Sequence, residues 1–312
     1  MEGLKAGLPP SLETSLGGLR FPTPVGNASG VLGWHPEEAR TVEEQGGGFF
    51  IAKSVTYNPR KGYPQPHMAP TRSGGLVNAV GLANPGFRRA AEILRETARR
   101  AGIPVIASIA GGPPGEWVEM ASALEEAGVA AIELNLSCPH FKGGGLELGQ
   151  DPSAVKTVVY AVSSTLSIPV FAKLGFSDRV VDASLVALEA GAKGLTLINS
   201  VRALKIDIYT KKPILGNIYG GLSGPPIHPL AVRTVYDVYR ETGADIFAAG
   251  GVEDWEDAIE LMLAGAKAVQ IGSSIVVRGP QVLRNVVEGI RRYLWVEGID
   301  SVAHIVGLAH KA

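Results

Sequence analysis

Residues 132–145 read IELNLSCPHFKGGG, which begins as an apolar strand and ends as a glycine-rich loop. The apolar first half is typical of a strand that is buried in a parallel sheet. The strand ends at Ser137, and the next residue, Cys138, is the only cysteine among the 312 residues of the chain. Asn135 belongs to the same strand end. Because reactive groups are commonly carried on loops that a rigid scaffold positions, we expect an amide and a thiol to share one site here.

Eight units of this kind follow one another, each an apolar run that ends in a polar or glycine break before a helical pattern. The predicted strands are Pro24–Ser29, Gly48–Ser54, Pro104–Ile109, Ala130–Ser137, Pro169–Leu174, Gly194–Asn199, Asp245–Ala249 and Ala268–Gly272. The predicted helices are Pro36–Gln45, Phe87–Ala101, Gly115–Ala127, Pro152–Leu166, Asp178–Ala190, Pro229–Glu241, Trp255–Ala264 and Pro280–Val296. Crossover connections of this length require parallel strands, and eight units close a (β/α)8 TIM barrel, an α/β fold. A doubly wound open sheet is the alternative.

Three segments fall outside the eight units. Leu12–Val25 alternates in hydrophobicity on both sides of two adjacent glycines, which predicts an N-terminal β-hairpin. Thr56–Ala83 after strand 2 and Val201–His228 after strand 6 are too long for simple connections, so we expect insertions that act as lids or substrate walls. No change in composition divides the chain, which predicts one barrel domain over residues 1–312.

The composition argues against several classes of partner. The formal net charge is -1 with no basic stripe, so neither nucleic acid nor an anionic membrane surface is an expected partner. No apolar run reaches the roughly 18–20 residues of a membrane span, and no signal pattern opens the chain, which predicts a cytoplasmic protein. The six histidines lack metal-ligand spacing and one cysteine cannot form a thiolate cluster, so we predict no metal site.

Small or polar residues stand at the end of every predicted strand, and a barrel would bring them to one face. Two of them, Lys53 and Lys173, leave buried strands. A single lysine at such a position usually extends its ammonium to water. Two lysines opposite the asparagines at 135 and 199 favour a site for an anionic or electron-rich ligand instead.

Glycine-rich stretches after the last strands indicate phosphate binding. Ala248–Val252 and Gln270–Ser274 lie where barrels often hold a phosphate on bare backbone amides, and Gly220–Gly224 adds a third glycine loop. No GxGxxG motif follows a strand, so a dinucleotide fold is not supported.

Several long motifs, in order and over nearly the whole chain, resemble the class 1 dihydroorotate dehydrogenases, flavin barrels of pyrimidine biosynthesis. The motifs are KSVTYNPRKGYPQP (Lys53–Pro66), NAVGLANPG (Asn78–Gly86), ELNLSCP (Glu133–Pro139), AKL (Ala172–Leu174) and INSVRALKIDIYTKKPILGNIYGGLSGP (Ile198–Pro225). The last run is most similar to class 1B, whose members work with a separate electron-transfer subunit.

The resemblance implies that FMN lies over the barrel mouth and that dihydroorotate is oxidised to orotate, with hydride passing to FMN and a proton to Cys138. Cofactor-binding roles are implied for Ser29, Lys53, Ser54, Ser108, Asn135, Lys173, Ile198, Gly224, Gly250, Gly251, Gly272 and Ser273, with Lys173 at the N1/O2 edge of the flavin. Substrate-binding roles are implied for Lys53, Asn78, Ala79, Val80, Gly81, Leu82, Asn135, Asn199 and Ser200.

The resemblance also implies a homodimer and a possible partner subunit that carries FAD and an iron–sulfur (2Fe-2S) centre and links the flavin to NAD. Fumarate or another soluble oxidant is the alternative acceptor.

The chain departs from the family at His140, where the family usually has asparagine. The barrel of dihydropyrimidine dehydrogenase is similar there, so reduction of uracil or thymine is one alternative function. A flavin-free barrel that uses Lys53 or Lys173 as a Schiff-base nucleophile is another, and a non-catalytic scaffold subunit is a third.

Overall fold

Strands and helices alternate along most of the chain. The structure is a computed structural model, and it describes residues 8–137 and 148–311. The strands are β1 (Thr14–Leu16), β2 (Leu19–Phe21), β3 (Val25–Asn27), β4 (Phe50–Ile51), β5 (Met68–Pro70), β6 (Leu76–Asn78), β7 (Val105–Ile109), β8 (Ala131–Asn135), β9 (Val170–Leu174), β10 (Gly194–Leu197), β11 (Val201–Leu204), β12 (Ile206–Asp207), β13 (Lys212–Pro213), β14 (Tyr219–Ser223), β15 (Ile246–Ala249) and β16 (Ala268–Ile271). The helices are α1 (Pro36–Glu44), α2 (Phe87–Arg100), α3 (Pro114–Glu126), α4 (Pro152–Ser163), α5 (Val180–Glu189), α6 (His228–Thr242), α7 (Trp255–Leu263), α8 (Ser273–Arg278) and α9 (Gln281–Glu297). Short 3-10 helices cover Leu148–Gln150, Pro225–Ile227, Val302–Ile305 and Leu308–His310.

Eight strands form one parallel sheet, in the order β3-β16-β15-β10-β9-β8-β7-β4. A parallel bridge between Gly26 and Phe49 joins the two edges, so the sheet closes on itself. Helices follow the strands around the outside. The predicted (β/α)8 TIM barrel is therefore confirmed, and the open doubly wound sheet is wrong. The short helix α8 after the last strand was not predicted.

The closure point depends on a glycine. Gly26 lies in β3 with its Cα against the ring and the carbonyl of Phe49. A Cβ on Gly26 would overlap the Phe49 ring and lie 2.6 Å from the Phe49 carbonyl oxygen. Glycine is thus the residue that lets the first and second barrel strands approach closely.

An aromatic cluster fills the end of the barrel where the strands begin. The predicted hairpin is confirmed as β1 paired antiparallel with β2, and its Leu16 and Phe21 are fully buried. Phe21 meets Phe49 and Phe247 edge-on at centroid distances of 5.2 and 5.7 Å, and Phe171 meets Phe247 at 5.0 Å. Edge-to-face packing of this kind is favourable for aromatic rings. The hairpin therefore closes this end, and any ligand must enter from the other.

The two insertions build one structure over the opposite end. β5 and β6 from the first insertion pair with β14 and β11 from the second in a four-stranded antiparallel sheet. Gly221 pairs with Asn78 across this sheet. The walls predicted after strands 2 and 6 are therefore present, and they share one sheet, which local sequence patterns did not indicate. Within this sheet, only the pairing of β6 with β14 joins the two insertions, and its partners are more than a hundred residues apart in the chain.

Within residues 8–137 and 148–311, no helix combines the length and apolar character needed to cross a lipid bilayer.

We predict that Gly26→Ala lowers the free energy of unfolding by about 1–3 kcal/mol, the usual cost of forcing an extra carbon into a packed core. Equilibrium unfolding in urea measures this change. Gly115→Ala is the matched control, because a Cβ at this position in α3 would meet nothing within 4 Å. It should leave stability unchanged or raise it by up to about 1 kcal/mol. Equal unfolding midpoints for the two variants would show that the closure point tolerates a side chain.

Candidate active site

Two adjoining cavities open at the carboxyl ends of the barrel strands, beneath the sheet formed by the insertions. Their volumes are about 370 and 210 Å³. Six residues border both cavities, namely Ser29, Gly30, Asn78, Val80, Asn199 and Ser200. A cavity at this end of a TIM barrel is the usual location of an active site.

Most of the residues singled out in the sequence line one of these cavities. The larger cavity is lined by Ser29, Lys53, Ser54, Asn78, Ala79, Val80, Gly81, Leu82, Asn135, Asn199 and Ser200. The smaller cavity is lined by Ser29, Asn78, Val80, Lys173, Ile198, Asn199, Ser200, Gly224, Gly250, Gly251, Gly272 and Ser273. Among the described residues predicted for the site, Ser108 alone borders neither, because it lies one layer deeper, with its hydroxyl 2.8 Å from that of Ser54.

The segment with the predicted base is not described. Cys138, His140 and the glycines at 143–145 lie outside residues 8–137 and 148–311. Ser137, the residue before Cys138, lines the larger cavity.

A ladder of hydrogen bonds fixes the polar floor of the larger cavity. Asn199 donates its side-chain N–H to Asn135 Oδ1 at 3.1 Å, and Asn135 donates in turn to Ser54 Oγ at 3.2 Å. The hydroxyls of Ser54 and Ser108 continue the ladder, while the backbone N–H of Ser200 donates to Asn199 Oδ1 at 2.9 Å. Each amide orientation is therefore set by its neighbours. A preorganised row of amide and hydroxyl groups can bind a planar, polar ring.

Lys173 is almost completely buried and donates to three acceptors. Its Nζ lies 3.2 Å from Ser29 Oγ, 3.2 Å from Gln270 Oε1 and 3.4 Å from Glu133 Oε1. A lysine ammonium has three N–H donors, so these contacts use them all. The three contacts therefore fix the position of the Lys173 amino group beside the smaller cavity.

The partners of Lys173 form a buried network that sequence reasoning missed. Glu133 Oε2 accepts from Thr196 Oγ1 at 3.1 Å and from Gln270 Nε2 at 3.0 Å. Glu133, Thr196 and Gln270 are at most 1% exposed. A usable signal was present, because a carboxylate inside an apolar strand needs a buried partner of opposite charge.

Lys53 occupies a half-buried position at the rim of the larger cavity. Burial lowers the pKa of its ammonium from the ordinary 10.5, and the charge of Glu38 opposes that shift in part. The Nζ lies 5.6 Å from the ring centroid of Trp34, whose indole N–H donates to the Lys53 carbonyl at 2.7 Å. Trp34, which the sequence analysis did not single out, therefore positions this lysine.

The insertions contribute further lining residues that sequence reasoning did not assign. They are Tyr63, Arg202, Asn217 and Tyr219. Gly220 and Gly221 were predicted to belong to a phosphate-binding glycine loop, but they lie in strand β14 and line the larger cavity. The guanidinium of Arg202 lies 5.3 Å from the ring centroid of Tyr219, within reach of a cation–π interaction. Both insertions had been predicted as walls, but only the pairing of β6 with β14 shows which of their side chains face the cavity.

Glycines form one side of the smaller cavity. Gly224, Gly250 and Gly251 have φ angles of +91°, +137° and +76°, which other residues rarely adopt. A Cβ would lie 2.7 Å from the Ala231 Cβ at Gly250 and 2.6 Å from the His228 Cβ at Gly251. The bare backbone there offers amide groups to a ligand, as phosphate sites require.

Comparison with known proteins gives consistent results. The sequence model of the family described as dihydroorotate dehydrogenase matches residues 11–294. A protein of Aeropyrum pernix provisionally named dihydroorotate dehydrogenase A (fumarate) is 72% identical over 97% of this chain and 99% of its own length. The catalytic subunit of dihydroorotate dehydrogenase B (NAD(+)) of Pyrococcus furiosus is 46% identical over 96% of this chain and 99% of its own. Among solved structures, dihydroorotate dehydrogenase from Eimeria tenella in complex with ferulenol superposes with a TM-score of 0.83 at 25% identity, covering 99% of this chain and 91% of that one.

We predict that Glu133→Gln lowers the free energy of unfolding of the ligand-free protein by about 3–5 kcal/mol, because it leaves the Lys173 ammonium buried without its counter-charge. Chemical unfolding measures the loss. Adding Lys173→Met to Glu133→Gln should recover part of it, since the unpaired charge is then gone. The matched control is Glu44→Gln, which breaks the exposed pair with Arg40 and should cost less than about 0.5 kcal/mol. Additive losses in the double variant would contradict a coupled pair.

Proposed function

Because the chain belongs to the dihydroorotate dehydrogenase family, we propose that the two adjoining cavities are the active site of a dihydroorotate dehydrogenase. The chain is an oxidoreductase that converts dihydroorotate to orotate in pyrimidine biosynthesis. The observation that carries the site assignment is the convergence, at one end of the barrel, of the charged lysines, the asparagine ladder and the glycine turns. We also propose that residues 1–312 act as one domain.

The family is flavin-dependent, and we propose that the flavin of this chain is FMN. The smaller cavity supports this, because a Cβ would collide with Ala231 at Gly250 and with His228 at Gly251, so the backbone stays bare there. Bare backbone amides of this kind bind phosphate groups. Gly224, Gly250, Gly251, Gly272 and Ser273 would hold the phosphate. Ile198 and the polar residues shared by the two cavities would lie along the ribityl chain and the ring.

Oxidation of dihydroorotate removes a hydride from C6 and a proton from C5. FMN, when bound, supplies the hydride acceptor. Lys173 would provide a fixed positive charge at the N1/O2 edge of the flavin, where negative charge develops. Its contacts with Ser29, Gln270 and Glu133 support this role, because they hold the ammonium in place before the reaction.

The larger cavity would bind the pyrimidine. The Lys53 ammonium would pair with the substrate carboxylate, and the side chains of Asn135 and Asn199 would bind the ring. The wall that runs from Asn78 to Leu82 would cover the ring from the side of the insertions. Exclusion of water by this wall would strengthen each charged contact.

We propose that Cys138 is the general base. Its thiolate would take the C5 proton on the side of the substrate opposite the hydride acceptor, which splits the two bond cleavages between two faces. The support is that Ser137 lines the larger cavity and that Cys138 is the only thiol in the chain.

The alternative functions are not favoured. Reduction of uracil or thymine rested on two short sequences, SCPH up to His140 and GQDP at Gly149–Pro152, whereas the family match extends over residues 11–294. A Schiff-base lysine must be neutral with a free lone pair, and Lys173 has all three donors engaged. Lys53, with its lowered pKa, meets that requirement better, but the family membership makes it a substrate-binding residue in our proposal.

For the electron acceptor we propose a partner subunit that carries FAD and a 2Fe-2S centre and passes electrons to NAD. A partner is compatible with relatives that are named as catalytic subunits of NAD-linked enzymes at 44–46% identity. The relative at 72% identity is instead named for fumarate. Reoxidation of the reduced protein by fumarate alone, at the rate of turnover, would favour that second acceptor. A cytoplasmic location stays a prediction.

We further propose a homodimer. The second insertion exposes large apolar side chains, namely Leu204, Ile206, Ile208 and Tyr209, of which Tyr209 is 88% exposed. Four exposed large apolar side chains within six residues are more than scattered surface apolar residues, and a second copy of the chain would cover them. Sedimentation at micromolar concentration would distinguish a dimer from a monomer.

We predict that anaerobic dihydroorotate bleaches the flavin absorbance of the purified protein, whereas dihydrouracil does not. Cys138→Ala should slow this reduction about a hundredfold or more, because a general base contributes on that scale. Since an ordinary thiol has a pKa of about 8.5, the wild-type rate should rise as the pH rises toward that value. Unaltered FMN binding by Cys138→Ala is the control. Undiminished reduction in this variant would remove Cys138 as the base, and a protein unable to bind FMN would refute the proposed cofactor.

We predict that the affinity for orotate begins to fall at a lower pH than it would if Lys53 had the ordinary lysine pKa of 10.5. Lys53 is charged below its pKa, and burial places that pKa under 10.5, so the ammonium is lost sooner as the pH rises. The loss should weaken orotate binding about tenfold or more, the value of one charged hydrogen bond. Titration of orotate against flavin absorbance at several pH values measures it. Lys53→Arg, which stays charged, should show a flatter profile, and identical profiles would contradict the assignment.

A further inference from the structure

His228 stands behind the glycine turn of the smaller cavity. It is the first residue of α6, and 8% of its surface is exposed. Its Nδ1 lies 3.0 Å from the Gly250 carbonyl oxygen, and its Nε2 lies 3.0 Å from Glu260 Oε2 and 3.7 Å from Asp257 Oδ1. The ring therefore connects the turn after β15 to the side of α7.

These contacts determine the protonation state of the ring. A carbonyl oxygen can only accept a hydrogen bond, and an ionised carboxylate can only accept one. The Glu260 side chain is 60% exposed, so water reaches and stabilises its carboxylate. Both ring nitrogens must then donate, and only the imidazolium has two N–H groups. In either neutral tautomer, one ring nitrogen would carry no hydrogen. Its lone pair would then face a lone pair of the Gly250 carbonyl oxygen or of Glu260 Oε2.

The carbonyl that His228 holds belongs to the turn assigned to the phosphate. Gly250 and Gly251 both line the smaller cavity, and Gly251 packs so closely on His228 that a Cβ there would lie 2.6 Å from the histidine Cβ. Loss of the hydrogen bond to Gly250 would free this turn to move. Loss of the ring charge would also remove a positive charge from behind a site for an anion.

We propose that His228 is a positioning residue for the phosphate of FMN, and that it holds the Gly250–Gly251 turn in its binding conformation only as the imidazolium. This inference rests on the proposed flavin site. The charged groups that face the ring among the described residues are Asp257 and Glu260 of α7, and both favour the imidazolium. The turn after β15 presents only its peptide carbonyl. The contribution of His228 to FMN affinity should therefore be largest at low pH and disappear when the ring loses its charge.

The test uses the full chain stripped of flavin, with FMN and riboflavin as probes. Quenching of flavin fluorescence is the readout, between about pH 5 and pH 8, the range in which an ordinary histidine changes its charge. Riboflavin lacks the phosphate. The phosphate of FMN itself titrates near pH 6, so the informative quantity is the ratio of variant to wild-type Kd at each pH. That ratio cancels the titration of the ligand.

His228→Gln, which can donate to only one of the two partners and carries no charge, should bind FMN about three- to tenfold more weakly than wild type at about pH 6. The difference between the two proteins should shrink as the pH rises, because the imidazolium contributes only while it is charged. His228→Lys keeps its charge throughout and should show a pH profile set by the phosphate alone. Riboflavin should bind wild type and variants alike at every pH.

A second variant keeps the proposal testable if His228→Gln fails to fold. Glu260→Gln alters an exposed side chain and removes one of the two carboxylates that favour the imidazolium, so it should move the fall in FMN affinity to lower pH. A variant-to-wild-type ratio that does not change with pH would overturn the proposal. Equal losses for riboflavin and FMN would also overturn it, because they would indicate a general structural role. If wild type itself fails to bind FMN, the flavin assignment falls, and this inference falls with it.

Discussion

Closure of the parallel sheet is the constraint on which the rest of the molecule depends. The first and second barrel strands meet at Gly26 and Phe49, where no side chain larger than hydrogen fits between them. Once the sheet is closed, eight strand ends point toward one axis, and residues separated by more than a hundred positions become neighbours. The aromatic cluster beneath the barrel closes the opposite end. The chemistry is therefore confined to the face where the strands end.

The closed barrel also buries two charged side chains, and a layer of polar side chains compensates for their loss of hydration. Lys173 and Glu133 are both nearly buried, and two charges removed from water are tolerated only when they are paired and hydrogen-bonded. Gln270 and Thr196 complete the layer by donating to the carboxylate, and Ser29 accepts from the lysine. The Lys173 ammonium therefore has a fixed position, and each of its three N–H groups has an acceptor. Such a cation stabilises developing negative charge without reorganising during the reaction.

The walls of the site are built differently from its floor. The floor consists of strand ends held by the barrel, whereas the walls come from the sheet that joins the two insertions. In our proposal the flavin and its phosphate contact the rigid strand ends and glycine turns, and the substrate contacts both floor and wall. His228 lies outside the cavities, yet through the Gly250 carbonyl it links the phosphate turn to the helix behind it. Binding of the cofactor would thus depend on protonation of a residue that does not touch the ligand.

The sequence by itself determined the eight strand–helix units, the hairpin, the places of the two insertions and most residues that line the cavities. These features depend on local patterns, because apolar periodicity, turn glycines and polar strand ends are visible within short windows. The sequence could not show that β6 pairs with β14, that Trp34 lies beside Lys53, or that Glu133 and Gln270 share Lys173. Each of these contacts joins residues from different units, and only closure of the barrel brings them within hydrogen-bonding or packing distance. The same reason explains His228, which in the sequence is one of six histidines. Its contacts with the Gly250 carbonyl and Glu260 exist only because α6, α7 and the turn after β15 meet.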